Sequence, residues 1–93
     1  MKDLYFQGQR LLTTDRVADA VLHYAQTLAA SGRTDVIEFP VIQDGALSTC
    51  TLLLAQPLTL ATVTVPQAYP DSLAGAEAAA DAIWSRIDAL AEV

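Results

Sequence analysis

GALSTCTLLLAQPLTLATVTVPQAYP, the stretch of residues 45–70, contains no Asp, Glu, Lys, Arg or His. A membrane-spanning helix needs about 20 consecutive apolar residues, so the length of this stretch raises that alternative. However, Gln56 and Pro57 interrupt it, and Ser and Thr hydroxyls are spread along both halves. Thr and Val also branch at Cβ, which favours extended backbone over helix. We therefore predict two strands, over 46–55 and 58–65, rather than a membrane span.

The residues before this stretch predict a third strand. Over 34–42, Ile37, Phe39 and Val41 would point to one face of a strand, and Val36, Glu38 and Ile42 to the other. Asp44 and Gly45 follow, and Asp-Gly between two apolar runs is a strong signal for a tight hairpin, because both residues tolerate positive φ. Pro40 cannot donate a hydrogen bond to a neighbouring strand, so we predict an edge strand or a bulge there.

The segments on either side of the strands have the spacing of amphipathic helices. One helix is predicted over 15–31, with Thr14 as its N-cap and Gly32 at the left-handed position after its last turn. A second helix is predicted over 72–91, with Asp71 as its cap. The apolar residues of this second helix recur at steps of three and four, as in a short heptad seam: Leu73, Ala76, Ala80, Ile83, Ile87 and Leu90.

This order of elements predicts an α+β fold. We expect two layers, α-β-β-β-α, with a three-stranded antiparallel meander and both helices on one face. The uncovered face would retain Val, Leu and Thr with few charges, and an exposed apolar patch marks an interface. We therefore expect a homodimer with two-fold symmetry, and as further partner another protein or a small apolar ligand. The interface candidates are Leu52, Leu54, Gly75, Ala79 and Trp84.

The first eight residues resemble part of an expression tag. Leu4-Tyr5-Phe6-Gln7-Gly8 is similar to the cleavage site of tobacco etch virus protease, although the two residues before it depart from the usual site. We interpret residues 1–8 as a tag remnant and residues 9–93 as a single small α+β domain.

Composition and charge exclude several classes of partner. The chain has 5 Lys and Arg against 11 Asp and Glu, which gives a net charge of −6. Affinity for nucleic-acid phosphates or for an anionic membrane surface comes from Lys and Arg, so we expect neither as a partner. The single cysteine, Cys50, cannot form an internal disulfide, which is consistent with a cytoplasmic protein. Abundant Ala, no Asn and a single Lys, Lys2, indicate a GC-rich bacterial source.

Few side chains could support catalysis. His23 is the only imidazole, and Asp19 lies four positions earlier on the same helical face, where it could orient the ring. Cys50 could complete a nucleophile set, but it lies in an apolar strand, where free cysteine behaves as a small hydrophobe. His23, Asp19 and Cys50 are therefore weak catalytic candidates. We predict no cofactor and no metal site, because the acidic pair Glu77 and Asp81 has no second His or paired Cys to complete it.

These observations favour a non-enzymatic, homodimeric interaction or scaffold module. The alternative is a small enzyme or ligand-binding subunit whose site forms only at the dimer interface. The residues that two chains could contribute to such a site are Asp19, His23, Tyr24, Trp84 and Arg86. A polar pocket containing His23 or Arg86 would favour the alternative, and a dry apolar contact would favour the interaction module.

Overall fold

A five-stranded antiparallel sheet and two helices make up the part of the chain that the computed structural model describes, residues 1–66 and 71–91. This composition confirms the predicted α+β class. The elements are, in order, β1 (Lys2–Phe6), β2 (Gln9–Thr13), α1 (Asp15–Ser31), β3 (Asp35–Gln43), β4 (Ala46–Leu54), β5 (Leu60–Thr64) and α2 (Ala76–Ala91). The three predicted strands appear as β3, β4 and β5, with no end shifted by more than two residues.

The strands lie in the order β4-β3-β2-β1-β5, so the sheet is larger than the predicted meander. β1 and β2 add a hairpin, and β5 pairs with β1 rather than with β4. Between β2 and β3 a single pair, Leu12 with Ile42, is in register. Beside that pair, the Thr13 hydroxyl donates a hydrogen bond to the Pro40 carbonyl at 2.8 Å. The sheet thus consists of a three-stranded ladder, β5-β1-β2, and a long hairpin, β3-β4, joined by a narrow junction.

This narrow junction accounts for Pro40. The strand that carries Pro40, predicted to be an edge or to contain a bulge, lies inside the sheet between β2 and β4, and Pro40 pairs with Thr49. Pairing between β2 and β3 is confined to Leu12 and Ile42, so no continuous ladder of hydrogen bonds runs past Pro40 on this side. The lack of an N–H at Pro40 therefore costs the sheet no ladder hydrogen bond. β3 is therefore internal by strand order but resembles an edge strand over most of its length.

The segment interpreted as a tag remnant forms a strand. Residues 2–6 are β1, which pairs with β2 on one side and with β5 on the other. The side chain of Leu4 is completely buried in the core. Whatever the origin of these residues, in the folded chain they form the central strand of the ladder, between β2 and β5.

The Asp44-Gly45 turn forms as predicted. Both residues have positive φ, 52° at Asp44 and 78° at Gly45, and the flanking pair is Gln43 with Ala46. Two positive-φ residues between paired strands match the twist of a two-residue hairpin, which a Gly at the second position permits without strain. The turn therefore fixes the register of the whole β3-β4 hairpin.

The first helix matches its prediction, and the second begins later than predicted. Thr14 caps α1, because its hydroxyl accepts a hydrogen bond from the Val17 N–H at 3.2 Å, and Gly32 follows with a φ of 65°. α2 begins at Ala76 rather than at Ser72. The predicted cap, Asp71, accepts instead from the backbone N–H of Asp15 at 2.9 Å. Its carboxylate therefore serves the start of α1 and not the start of α2.

One hydrophobic core joins the sheet to both helices. Each strand of the hairpin contributes alternate residues to it, as a pleated strand must. The buried strand residues are Leu4, Leu11, Ile37, Phe39, Val41, Leu52 and Leu54, and the larger buried helix residues are Val17, Val21, Tyr24, Leu28, Ile83 and Ile87. At the surface, the Arg16 guanidinium bonds both Glu77 and Asp81, which ties α1 to α2.

Candidate interaction surface

Large exposed apolar side chains collect on one face of the sheet. We call this the open face; its side chains alternate along the strands with those of the core. Its exposed members, with their exposed fractions, are Tyr5 (37%), Val36 (49%), Leu47 (55%), Leu53 (57%) and Val63 (50%). The only other large apolar residue exposed to this degree in the described ranges is Leu22, on α1. Side chains of this size do not remain in water without cost, so the open face is the candidate interaction surface.

The hairpin carries the more apolar half of this surface. We call its outward residues the hairpin face: Val36, Glu38, Pro40, Ile42, Leu47, Thr49, Thr51 and Leu53. Cross-strand neighbours on this face pair apolar with apolar, Val36 with Leu53 and Ile42 with Leu47. Glu38, opposite Thr51, is its single charged residue. The open face of the ladder carries both Asp3 and Arg10.

β4 forms one edge of the sheet and, within residues 1–66 and 71–91, has none of the usual protection of an edge. It is nine residues long and contains no charged residue and no proline. Natural edge strands are blunted by charges, prolines, bulges or short length, because their free N–H and C=O groups can pair with another chain. Among the described elements, β3 is the one in close contact with β4. This edge is therefore open to an added strand.

An open groove of about 600 Å³ lies where the hairpin and the ladder meet. Leu12 and Ile42, the one registered pair of the junction, line its floor. Asp3, Arg10 and Asp44 give it charges of both signs. Neither His23 nor Arg86 lines this groove, so it is not the polar pocket that the enzyme alternative requires.

The weak catalytic candidates do not assemble into one site. The carboxylate of Asp19 bonds Lys2 Nζ at 2.6 Å rather than the His23 ring. The imidazole of His23 packs against Trp84 instead, with ring centroids 4.9 Å apart. Cys50 lies half-buried on the core side of β4, and burial raises the pKa of its thiol. A raised thiol pKa leaves less thiolate, the nucleophilic form, at neutral pH. In the described ranges, no three His, Cys, Asp or Glu side chains are grouped to hold a metal ion.

The predicted interface candidates are placed in three different environments. Leu52 and Leu54 are buried in the core of their own chain, 8% and 2% exposed, so they are not available to a partner. Gly75 precedes α2, Ala79 is half-buried on it, and Trp84 packs on His23. The sequence does not show which face Leu52 and Leu54 occupy, because every residue of that run is uncharged and only the position of the helices distinguishes the two faces.

A polar cluster that the sequence did not reveal joins α1, β3 and α2. The Tyr24 hydroxyl donates to Asp35 Oδ2 at 2.6 Å, and Arg86 Nη1 donates to the same oxygen at 2.8 Å. Arg86 also bonds the carbonyl of Val36 at 3.0 Å. The hydrogen bond from Tyr24 lowers the pKa of Asp35, and the Val36 N–H and Arg86 add to this effect. Burial, followed by the bond to Asp35, raises the pKa of Tyr24 to about 12.

This cluster is satisfied within the chain. The three residues are far apart in sequence, and no spacing rule would connect Tyr24 or Arg86 to Asp35. A matched donor and acceptor set of this kind stabilises the contact between layers. The cluster therefore stabilises the fold, and among the described residues the open face is the surface that nothing covers.

Comparison with protein-family models, with curated proteins and with solved structures finds no match to this chain. No helix in residues 1–66 and 71–91 combines the length and the apolar character that crossing a bilayer requires. The function must therefore be argued from the geometry alone.

Proposed function

We propose that this chain is a non-enzymatic interaction module that acts as a homodimer, with the β3-β4 hairpin as the element through which the two copies meet. The observation that carries the proposal is the exposure of Val36, Leu47 and Leu53, each about half accessible, beside the single charge of Glu38. A bacterial source and a cytoplasmic location are part of the same proposal, and they rest on composition alone.

The distribution of charge supports a second copy as the occupant. Each chain carries a net charge of −6, so two copies repel each other wherever their acidic surfaces meet. β4, which lies in the uncharged run, provides a surface on which two copies can meet without this repulsion. Burial of its exposed leucines on association would stabilise the dimer by about 25 cal/mol for each Å² of apolar surface removed from water.

Light scattering coupled to size exclusion tests the proposal directly. At tens of micromolar we expect about twice the chain mass of 9.9 kDa. Leu53→Lys, which places a charge in the hairpin face, should shift the protein to monomer. Leu22→Lys is the matched control, because Leu22 is also an exposed leucine, 38% accessible, but lies on α1 outside the open face. A wild-type monomer under these conditions would contradict the proposal.

The enzyme or ligand-binding alternative has weaker support. Of its five candidate residues, Tyr24 and Arg86 meet at Asp35, where the Tyr24 hydroxyl and Arg86 Nη1 are already paired. Asp19 is bonded to Lys2, and His23 and Trp84 pack on each other. The five residues therefore lie in three separate contacts and do not converge on one pocket within the described part of the chain.

A further inference from the structure

We propose that two copies of this chain join edge to edge through β4, as antiparallel strands related by a two-fold axis at Cys50. This inference rests on the homodimer proposed above and specifies how it forms. The product would be a continuous ten-stranded sheet, with the two hairpin faces side by side.

The hairpin register shows which backbone groups of β4 are free. In a two-residue hairpin the residues that flank the turn, here Gln43 and Ala46, exchange hydrogen bonds. Hydrogen-bonded pairs then recur at every second position, so the even-numbered residues of β4 bond β3. The odd-numbered residues direct their N–H and C=O groups away from β3, toward the open edge. These residues are Leu47, Thr49, Thr51 and Leu53.

An antiparallel pairing of β4 with itself uses all of these groups. In the register that pairs all nine residues, 47 lies opposite 53 of the second copy, and 49 lies opposite 51. Every pair formed by outward groups is then a hydrogen-bonded pair, and Cys50 lies opposite Cys50 in a non-hydrogen-bonded pair. The register that pairs all nine residues therefore also gives a hydrogen-bond partner to every outward N–H and C=O of Leu47, Thr49, Thr51 and Leu53.

The side chains of this row are also self-complementary. Read in either direction, the outward row is Leu, Thr, Thr, Leu. A two-fold axis at Cys50 places each leucine against a leucine and each threonine against a threonine of the second copy. Thr–Thr and apolar–apolar cross-strand pairs are favourable, and no like charges face each other. A partner with another sequence would not be matched by this symmetry, so the row favours a second copy.

The opposite edge of the sheet is a poorer surface for pairing. β5 is five residues long, against nine for β4, so it offers fewer hydrogen bonds. Its neighbours also include α1, which packs against it. Of the two edges, β4 is the one with the length and the symmetry for a dimer.

Cross-linking at Cys50 tests the register. Opposed residues in a non-hydrogen-bonded pair have Cα atoms about 4.5 Å apart, which lies within the range of about 4.4–6.8 Å for disulfides. Mild oxidation with copper phenanthroline should convert most of the wild-type chains into a covalent dimer. The control is the double variant Cys50→Ser, Ser48→Cys, in which the thiol stays on the same side of β4. Its two thiols would lie about 13 Å apart along the strands, and cross-linking should fall at least tenfold.

Proline substitution tests the edge itself. Thr51→Pro removes an outward N–H and no hydrogen bond to β3, and it should raise the dimer dissociation constant at least tenfold. The matched control is Thr64→Pro. The two-residue turn at Gln7-Gly8 makes the even-numbered residues of β1 bond β2, so the odd-numbered ones bond β5. Thr64 lies opposite Lys2, so its N–H points away from β1, and Thr64→Pro removes an outward N–H from the other edge of the sheet. Its dissociation constant should stay within twofold of the wild type. Circular dichroism verifies that both variants fold.

The outcomes separate this inference from the proposed function. Efficient cross-linking at Cys50, with dissociation by Thr51→Pro alone, supports β4 pairing. A stable dimer that neither cross-links at Cys50 nor responds to Thr51→Pro overturns the edge pairing and leaves the homodimer intact, with the hairpin faces packed on each other. A wild-type monomer overturns both. If Thr51→Pro does not fold, the cross-linking result decides alone, since it uses the unmodified fold.

Discussion

The covered face and the open face of the sheet are built from similar residues but meet different surroundings. On β4, Leu52 and Leu54 are buried against the core, whereas Leu47 and Leu53 are more than half exposed. Hydrophobicity alone does not distinguish these leucines. The helices lie against one face, and the other face has no cover within the described chain. The comparison teaches that this fold completes one hydrophobic layer and leaves a second one open.

Removal of residues 1–8 should have the largest effect on stability, because it removes β1 from the sheet and the side chain of Leu4 from the covered face. β1 pairs with β2 and β5, and Leu4 is completely buried. We expect the truncated chain to lose its cooperative thermal transition, as followed by circular dichroism. Tyr5→Thr, on the open face of the same strand, should keep the transition. A truncated chain with the melting temperature of the full chain would show that β1 is dispensable.

A pair of neighbouring leucines measures the difference between the two faces directly. Leu54→Ala should lower the free energy of unfolding by about 2–5 kcal/mol, as truncation of a buried leucine does. Leu53→Ala should change it by no more than about 0.5 kcal/mol in the monomer, since exposed sites contribute little. Chemical denaturation measures the free energy of unfolding of both variants, at submicromolar protein, below the concentration at which we expect the dimer to form. Equal losses for the two variants would mean that the faces do not differ as described.

The Tyr24–Asp35–Arg86 cluster at the margin of the covered face should contribute less than the core. Tyr24→Phe removes a hydrogen bond to a carboxylate and should cost about 1.5–3 kcal/mol at pH 7. Tyr5→Phe is the control, because the Tyr5 side chain lies on the open face and is 37% exposed. Denaturation of the two variants side by side gives the difference, and an unchanged stability of Tyr24→Phe would show that the bond contributes nothing.

The same cluster predicts how stability depends on pH. The pKa of Tyr24 is raised to about 12, so its contribution is complete below pH 10 and is lost as the pH rises from 10 to about 12. The pKa of Asp35 is lowered, so its contribution is present above the unfolded value of about 3.9 and is lost as the pH falls below it. Tyr24→Phe should therefore remove the alkaline loss. A variant that keeps the full alkaline loss would assign that loss to another group.

Among the variants that remove a contact within the chain, His23→Ala should have the smallest effect. His23 is exposed and contacts the ring of Trp84, and a contact of this kind is worth up to about 1 kcal/mol. We expect the melting temperature to change by a few degrees at most and the dimer to persist in light scattering. If His23→Ala abolished a measured activity or binding event at an unchanged melting temperature, the non-enzymatic interpretation would be wrong.

Local patterns predicted the elements well and their arrangement only in part. α1 begins and ends where Thr14 and Gly32 indicate, and the Asp44-Gly45 turn forms as expected. These features depend on a few adjacent residues. α2 begins at Ala76, later than the predicted start at Ser72. Asp71, the predicted cap of α2, accepts a hydrogen bond from the backbone N–H of Asp15 instead, a contact between residues far apart in sequence. The candidate site followed the same division: an exposed apolar sheet face was predicted, but its residues were not.

By itself, the sequence determined the α+β class, the limits of α1, the strands of the uncharged run and the net acidic charge. These properties depend on side-chain shape, capping and composition within short segments. Only the tertiary structure decided that residues 2–6 complete the sheet, that β5 pairs with β1, and that Leu53 rather than Leu54 faces outward. The physical reason is that strand pairing and helix packing join distant segments, and an uncharged strand is compatible with burial of either face until a helix covers one of them.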